Sequence, residues 1–210
     1  MSPPRVLALL GDSILDNGSY THPAPDTTAH VRRLLGSAWV VERGARDGAT
    51  MTDIASQVAA LPPGRPDVLV LSVGGNDLME RVGGPPFTGS LSEIFSALPE
   101  IAEEFGARYA EVLESLRPAT DRLLVCTIYD VPFSDAELAR LGNFALGLLN
   151  DRILLCARRF GVEVLELRDV CTEPGDFVLQ IEPSAEGARK IAVAIAEAVR
   201  GSPATRSGTR

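Results

Sequence analysis

The chain has 210 residues, 45% hydrophobic and 23% charged, the make-up of one globular domain of ordinary size and not of a disordered segment. Twenty basic against twenty-eight acidic side chains leave a formal net charge of −8, which repels a phosphate backbone and sets aside a nucleic-acid partner. No stretch approaches the length of a membrane span, so no membrane partner is expected. The three cysteines, Cys126, Cys156 and Cys171, are odd in number and lack CxxC spacing, which argues against a disulfide framework and a zinc site and for a reducing, cytoplasmic setting.

Along the chain, short apolar runs alternate with longer amphipathic ones. The runs at 6–10, 68–73 and 123–128 are continuously apolar and bounded by turn signals, as strands buried on both faces should be. Shorter runs at 39–42 and 162–167 complete a set of five. The N-terminal run is too short for a signal peptide and reads as the first strand. Between the strands, helical patterns cover 27–35, 50–61, 91–116, 134–160 and 183–200. Pro99 should break or kink the third of these. Ser134 is the expected N-cap of the fourth and Gly161 its C′ residue; Pro183 suits the first turn of the last helix. Trp39 reads as core. Strand–helix alternation predicts a three-layer α/β/α sandwich around a five-stranded parallel sheet, as one domain over 1–200 with a loose tail at 201–210.

In such a sheet the loops after the strand carboxyl ends gather at one edge and bind ligands. The unusual residues are in those loops. Gly11-Asp12-Ser13 follows the first strand; a glycine there lets the chain turn, and the serine is placed near a helix N-terminus that favours an alkoxide and a developing oxyanion. Asp12-Ser13 alone is also an ordinary helix cap. Gly48 ends the loop after the second strand and can offer a backbone N–H. Gly74-Gly75-Asn76-Asp77 follows the third strand, where the Asn76 amide can donate to a substrate oxygen without carrying charge; the same four residues are turn formers.

Together, Gly11-Asp12-Ser13, Gly48, the Gly74–Asp77 block and the final stretch from Glu182-Pro183-Ser184 through Gly187 resemble the SGNH (GDSL) hydrolase family over nearly the whole chain. The resemblance implies a flavodoxin-like fold and serine-dependent hydrolysis of a small ester, thioester or acetylated sugar without a cofactor. It implies Ser13 as nucleophile, and the Ser13 and Gly48 backbone N–H groups with the Asn76 side chain as oxyanion hole. The family's last block carries Asp-x-x-His; here those places hold Leu179 and Glu182. Asp176 has the wrong spacing to stand in for that aspartate.

Glu182 is therefore the candidate proton acceptor or orienter for Ser13. A carboxylate starts roughly a hundredfold weaker as a base than imidazole, burial would raise its pKa, and nearby Asp12 or Asp16 would add repulsion. The competing role for Glu182 is a charge at the start of the last helix. The only histidines, His22 in a proline-flanked loop and His30 on an amphipathic helix, are weak substitutes. Asp12, Asp16 and Asp77 are expected to support the site; carboxylates at 12, 16 and 182 lack a metal-binding spacing, and no metal is expected. Two readings stay open: an atypical ester hydrolase working through an acyl-Ser13 intermediate, and a binding protein for a small acyl or glycan ligand that keeps the crevice without the chemistry. Oligomeric state is open.

Overall fold

The computed structural model describes residues 3–81 and 91–201. Five parallel strands, β1 (Arg5–Gly11), β2 (Trp39–Arg43), β3 (Val68–Ser72), β4 (Arg122–Cys126) and β5 (Glu163–Leu165), form one sheet in the order β2-β1-β3-β4-β5. Each lies within three residues of the run that predicted it. The centre of the sheet has no solvent face: Leu7, Leu9, Leu10 and all of Val68–Leu71 are fully or almost fully buried, which is why these strands read as unbroken apolar runs.

Among the described residues, seven α-helices accompany the sheet: α1 (Gly18–Thr21), α2 (Thr27–Leu35), α3 (Ile54–Ala59), α4 (Gly75–Arg81), α5 (Leu91–Leu116), α6 (Ala136–Phe160) and α7 (Ala185–Arg200). The chain steps from β1 to β2 in one direction and then reverses through β3, β4 and β5. Right-handed crossovers then divide the helices between the two faces, and α2 packs on α7 while α5 packs on α6. The reversal leaves a crevice between the carboxyl ends of β1 and β3, the switch point at which sheets of this order hold ligands. Gly11-Asp12-Ser13 and Gly74–Asp77 emerge on either side of it.

Several local expectations change. The 50–61 pattern is a 3₁₀ turn, Met51–Asp53, running into the shorter α3; Thr50 and Asp53 form a reciprocal capping box. Helix α5 continues through Pro99 without a break. Asp135, not Ser134, caps α6, accepting from the Glu137 and Leu138 N–H groups; Gly161 ends that helix in the left-handed conformation as expected. Trp39 is only half-buried on the edge strand, with the Arg5 guanidinium 4.2 Å above its ring. Pro183 is not helical. It lies in a two-stranded antiparallel hairpin, β6 (Phe177–Val178) and β7 (Glu182–Pro183), and Ser184 caps α7. The hairpin occupies a stretch that reads as plain loop, because its strands are two residues long and carry no alternation. Of the expected tail, residues 202–210 lie outside the described residues. All three cysteines are buried and free.

Candidate active site

The site begins with a glycine that no other residue can replace. Gly11 closes β1 at φ +128°, and a Cβ built there would stand 1.7 Å from the Ser72 carbonyl oxygen of β3. Its backbone is gripped on both sides by the fully buried Gln57 of α3, whose Oε1 accepts from the Gly11 N–H and whose Nε2 donates to the Gly11 carbonyl, each at 2.8 Å. Gln57 escaped sequence reasoning. Its signal is a single amide on the buried face of a short apolar helix, where a polar side chain must find partners.

After Gly11 the chain makes one helical turn, with the Leu15 and Asp16 N–H groups donating to the Asp12 carbonyl. The helix α1 that follows is four residues long, so Ser13 does not stand at the start of a long helix dipole. The Ser13 and Gly48 backbone N–H groups have no acceptor among the described residues. Asn76, in the first turn of α4, spends one amide N–H on the Ala49 carbonyl at 2.9 Å, which ties it to the loop carrying Gly48 and leaves its second N–H.

Asp12, Ser13, Asn76 and Glu182 all line one cleft of about 660 Å³, open to solvent. Ser13 is 9% exposed, so a reagent reaches it only through this opening. Gly48 is exposed and does not line the cleft; Asp16 and Asp77 do not line it either. Asp16 forms an ion pair with Arg43 and accepts from the Asp47 N–H, bracing the loop. Asp77 accepts from the Met51 N–H at 3.1 Å and pairs with Arg108 at 3.1 Å, joining α4 to the 3₁₀ turn and to α5. Both support neighbouring backbone and do not face the cleft.

The hairpin delivers Glu182. Its turn holds Leu179 and Gln180 at positive φ, 49° and 71°, and Gln180 Oε1 accepts from the Ser134 N–H and hydroxyl. Tyr129 clamps it from the end of the β4 loop: its hydroxyl donates to the Ile181 carbonyl at 2.7 Å and its ring sits edge-on to Phe177. Leu179, in the place of the family's acid, is 75% exposed and orients nothing in the cleft. Asp176 is committed elsewhere, to Lys190 at 2.7 Å. Ser184 fills the cap of α7, so Glu182 is not the capping residue.

Burial raises the pKa of Glu182, the Ser13 hydroxyl beside the carboxylate lowers it, and the Asp47 charge raises it again. The Ser13–Glu182 contact is not a closed hydrogen bond, and Glu182 Oε2 is buried with no partner among the described residues. Asp12 is pushed up to about 8, chiefly by burial and further by the Glu182 charge, against an opposing hydrogen bond from the Ile14 N–H. Burial thus leaves Asp12 protonated at neutral pH. The histidines take no part: His22 is exposed, His30 is on α2 with its pKa lowered by burial and by Arg33, and neither lines the cleft. Among the described residues no cluster of three or more His, Cys, Asp or Glu side chains is arranged to hold a metal ion, and no helix is long and apolar enough to cross a membrane.

A three-layer fold around a parallel sheet, with a cleft at the switch point, defines an α/β protein of the hydrolase type. The chain matches the model of the GDSL-like lipase/acylhydrolase family over residues 9–190 and belongs to that family. No curated protein sequence matches it. Among solved structures it is similar to LAE5, an alpha/beta hydrolase enzyme from the metagenome of Lake Arreo in Spain, with 19% identity, TM-score 0.67, and 94% of this chain and 96% of that one covered. It is also similar to Axe2, an acetylxylan esterase from Geobacillus stearothermophilus, with 18% identity, TM-score 0.68, and 99% and 100% covered. Axe2 has been solved as catalytic mutants that replace a serine, an aspartate or a histidine by alanine. At these identities the likeness is one of fold.

Proposed function

We propose that this hydrolase cleaves a small carboxylic ester through an acyl-Ser13 intermediate, with Glu182 as the proton acceptor. The observation that carries the reading is the convergence of the Ser13 hydroxyl and the Glu182 carboxylate in one cleft, beside an Asp12 whose pKa burial pushes up to about 8. Family membership and the acetylxylan esterase among its structural neighbours support the ester as the bond cleaved.

Glu182 takes the Ser13 proton as Oγ attacks the acyl carbon, and the carbonyl oxygen becomes an oxyanion stabilised by the Ser13 N–H and the second N–H of Asn76. Collapse of this intermediate expels the alkoxide, which takes the proton back from Glu182 and leaves acyl-Ser13. Water then attacks the acyl carbon, Glu182 accepts its proton, and the acid departs as Ser13 Oγ is reprotonated. A carboxylate is a weaker base than imidazole by about two units of reference pKa, a disadvantage that burial of Glu182 reduces.

The test is labelling with a fluorophosphonate, read by intact mass and peptide mapping, alongside turnover of short p-nitrophenyl esters. Wild type should carry a single adduct on Ser13 and turn the esters over, and Ser13→Ala should do neither. An inert wild type would leave the binding-protein reading in its place.

A further inference from the structure

The cleft's polar side chains are Asp12, Ser13, Asn76 and Glu182, and most of the rest of its lining is apolar. Beyond Ser13 its walls are Leu78 and Met79 of α4, Ile128, Val131 and Phe133 of the loop after β4, and Leu146 of α6. A loop would ordinarily offer carbonyl and N–H groups to a ligand. Here they are taken from behind, by two asparagines on α6. Asn150 accepts from the Ile128 N–H at 2.8 Å and donates to the Ile128 carbonyl at 2.7 Å; Asn143 does the same for Val131, at 2.8 and 3.2 Å. The Tyr129 hydroxyl is spent on the Ile181 carbonyl. With the Ile128 and Val131 backbone groups taken and the lining side chains apolar, this arm of the cleft offers a ligand mainly carbon, and a buried hydroxyl would find few partners there.

Its width depends on Gly142. This glycine lies inside the long helix α6, away from any turn, and lines the cleft. A Cβ at that position would stand 3.2 Å from the Phe133 ring and 4.0 Å from Val131 Cγ2. Any larger side chain drives Phe133 into the arm or fills the arm itself.

We propose that this arm is an acyl-chain pocket for an unsubstituted hydrocarbon chain longer than acetyl, and that Gly142 is the residue that keeps it open. The proposal rests on Ser13 being the hydroxyl that accepts the acyl group. Each buried methylene is worth about fourfold in transition-state binding. For the full chain, kcat/KM should therefore rise at least tenfold from p-nitrophenyl acetate to the hexanoate. Gly142→Leu should cut the hexanoate value at least tenfold while the acetate value stays within threefold. Met79→Phe, which narrows the same arm from α4, should act in the same direction should the Leu variant fail to fold. A flat series, or one that falls from acetate to hexanoate, overturns the proposal.

A second arm separates this pocket from the catalytic reading. Methyl hexanoate and methyl acetate are titrated against Ser13→Ala by ligand-observed NMR. Hexanoate binding at least tenfold tighter than acetate, and weakened by adding Gly142→Leu, supports the pocket even when the wild-type chain proves inert to every ester. Equal affinities, or no binding of either, refute the pocket whatever Ser13 does.

Discussion

Asp12 is the residue whose protonation the site depends on. Its carboxyl is 3% exposed, carries a pKa near 8 and stands beside Glu182. Below that pH it is neutral and adds no charge to the cleft. Above it, the Asp12 carboxylate places a negative charge in the cleft that opposes the oxyanion. The expected kcat/KM therefore declines through about pH 8 on the alkaline side, and Asp12→Asn, which keeps the oxygen that accepts from the Ile14 N–H, should hold its activity to higher pH. Stability moves in the same sense. A carboxyl whose folded pKa lies above its unfolded value binds more protons when folded between about 4 and 8, so its contribution is present at the acid end of that window and is lost as pH rises through it. Thermal unfolding of wild type should show that decline and Asp12→Asn should lack it. Coincident profiles for the two proteins would mean that Asp12 does not hold a proton in the fold. Its neighbours Ser13 and Asn76 were legible from residue type and strand-end position. The state of Asp12 was not, because it comes from burial and from a carboxylate 170 positions away in the chain.

At the scale of elements, the β6–β7 hairpin is what brings that carboxylate to the serine. It was invisible in the sequence for a physical reason. Two-residue strands have no period, and the turn lacks the Asn-Gly or Asp-Gly pair that normally marks positive φ. Leu179 instead occupies the left-handed region with its side chain in solvent. For an L-residue with a Cβ that conformation costs about 1–2 kcal/mol, and little packing offsets it here. Leu179→Gly is expected to stabilise the protein by up to about 1 kcal/mol, part of the relief being returned to the more flexible unfolded chain. Urea unfolding at constant m-value measures this; a loss of 1 kcal/mol or more would show that the Leu179 side chain supports the hairpin. The strands and long helices behaved differently. Continuous apolar runs and 3.6-residue patterns report burial directly, so β1, β3, β4, α2 and α5 were readable almost to the residue. Ends decided by competing caps, Ser134 against Asp135 and Pro183 against Ser184, were not.

For the whole molecule, strand order accounts for the position of the site. The sequence of turns from β1 to β2 and back to β3 opens one crevice, and three blocks widely separated in the chain meet around it. Gln57 locks the backbone at Gly11, Asp77 and Arg108 tie α4 to its surroundings, and Tyr129 holds the hairpin, so the functional groups are fixed by side chains outside the cleft's chemistry. At the end of the cleft formed by the hairpin, Leu179 is exposed and Glu182 is a half-buried glutamate.

That glutamate is the point on which the mechanism turns. The most direct measurement is the second-order rate of fluorophosphonate labelling of Ser13 at pH 7 in wild type and in Glu182→Gln, with thermal unfolding confirming that both are folded. A base worth its usual 10²–10⁴-fold predicts a labelling rate at least about a hundredfold lower in the glutamine protein. Equal rates would mean that the Ser13 proton leaves by another route and that Glu182 has no part in the chemistry.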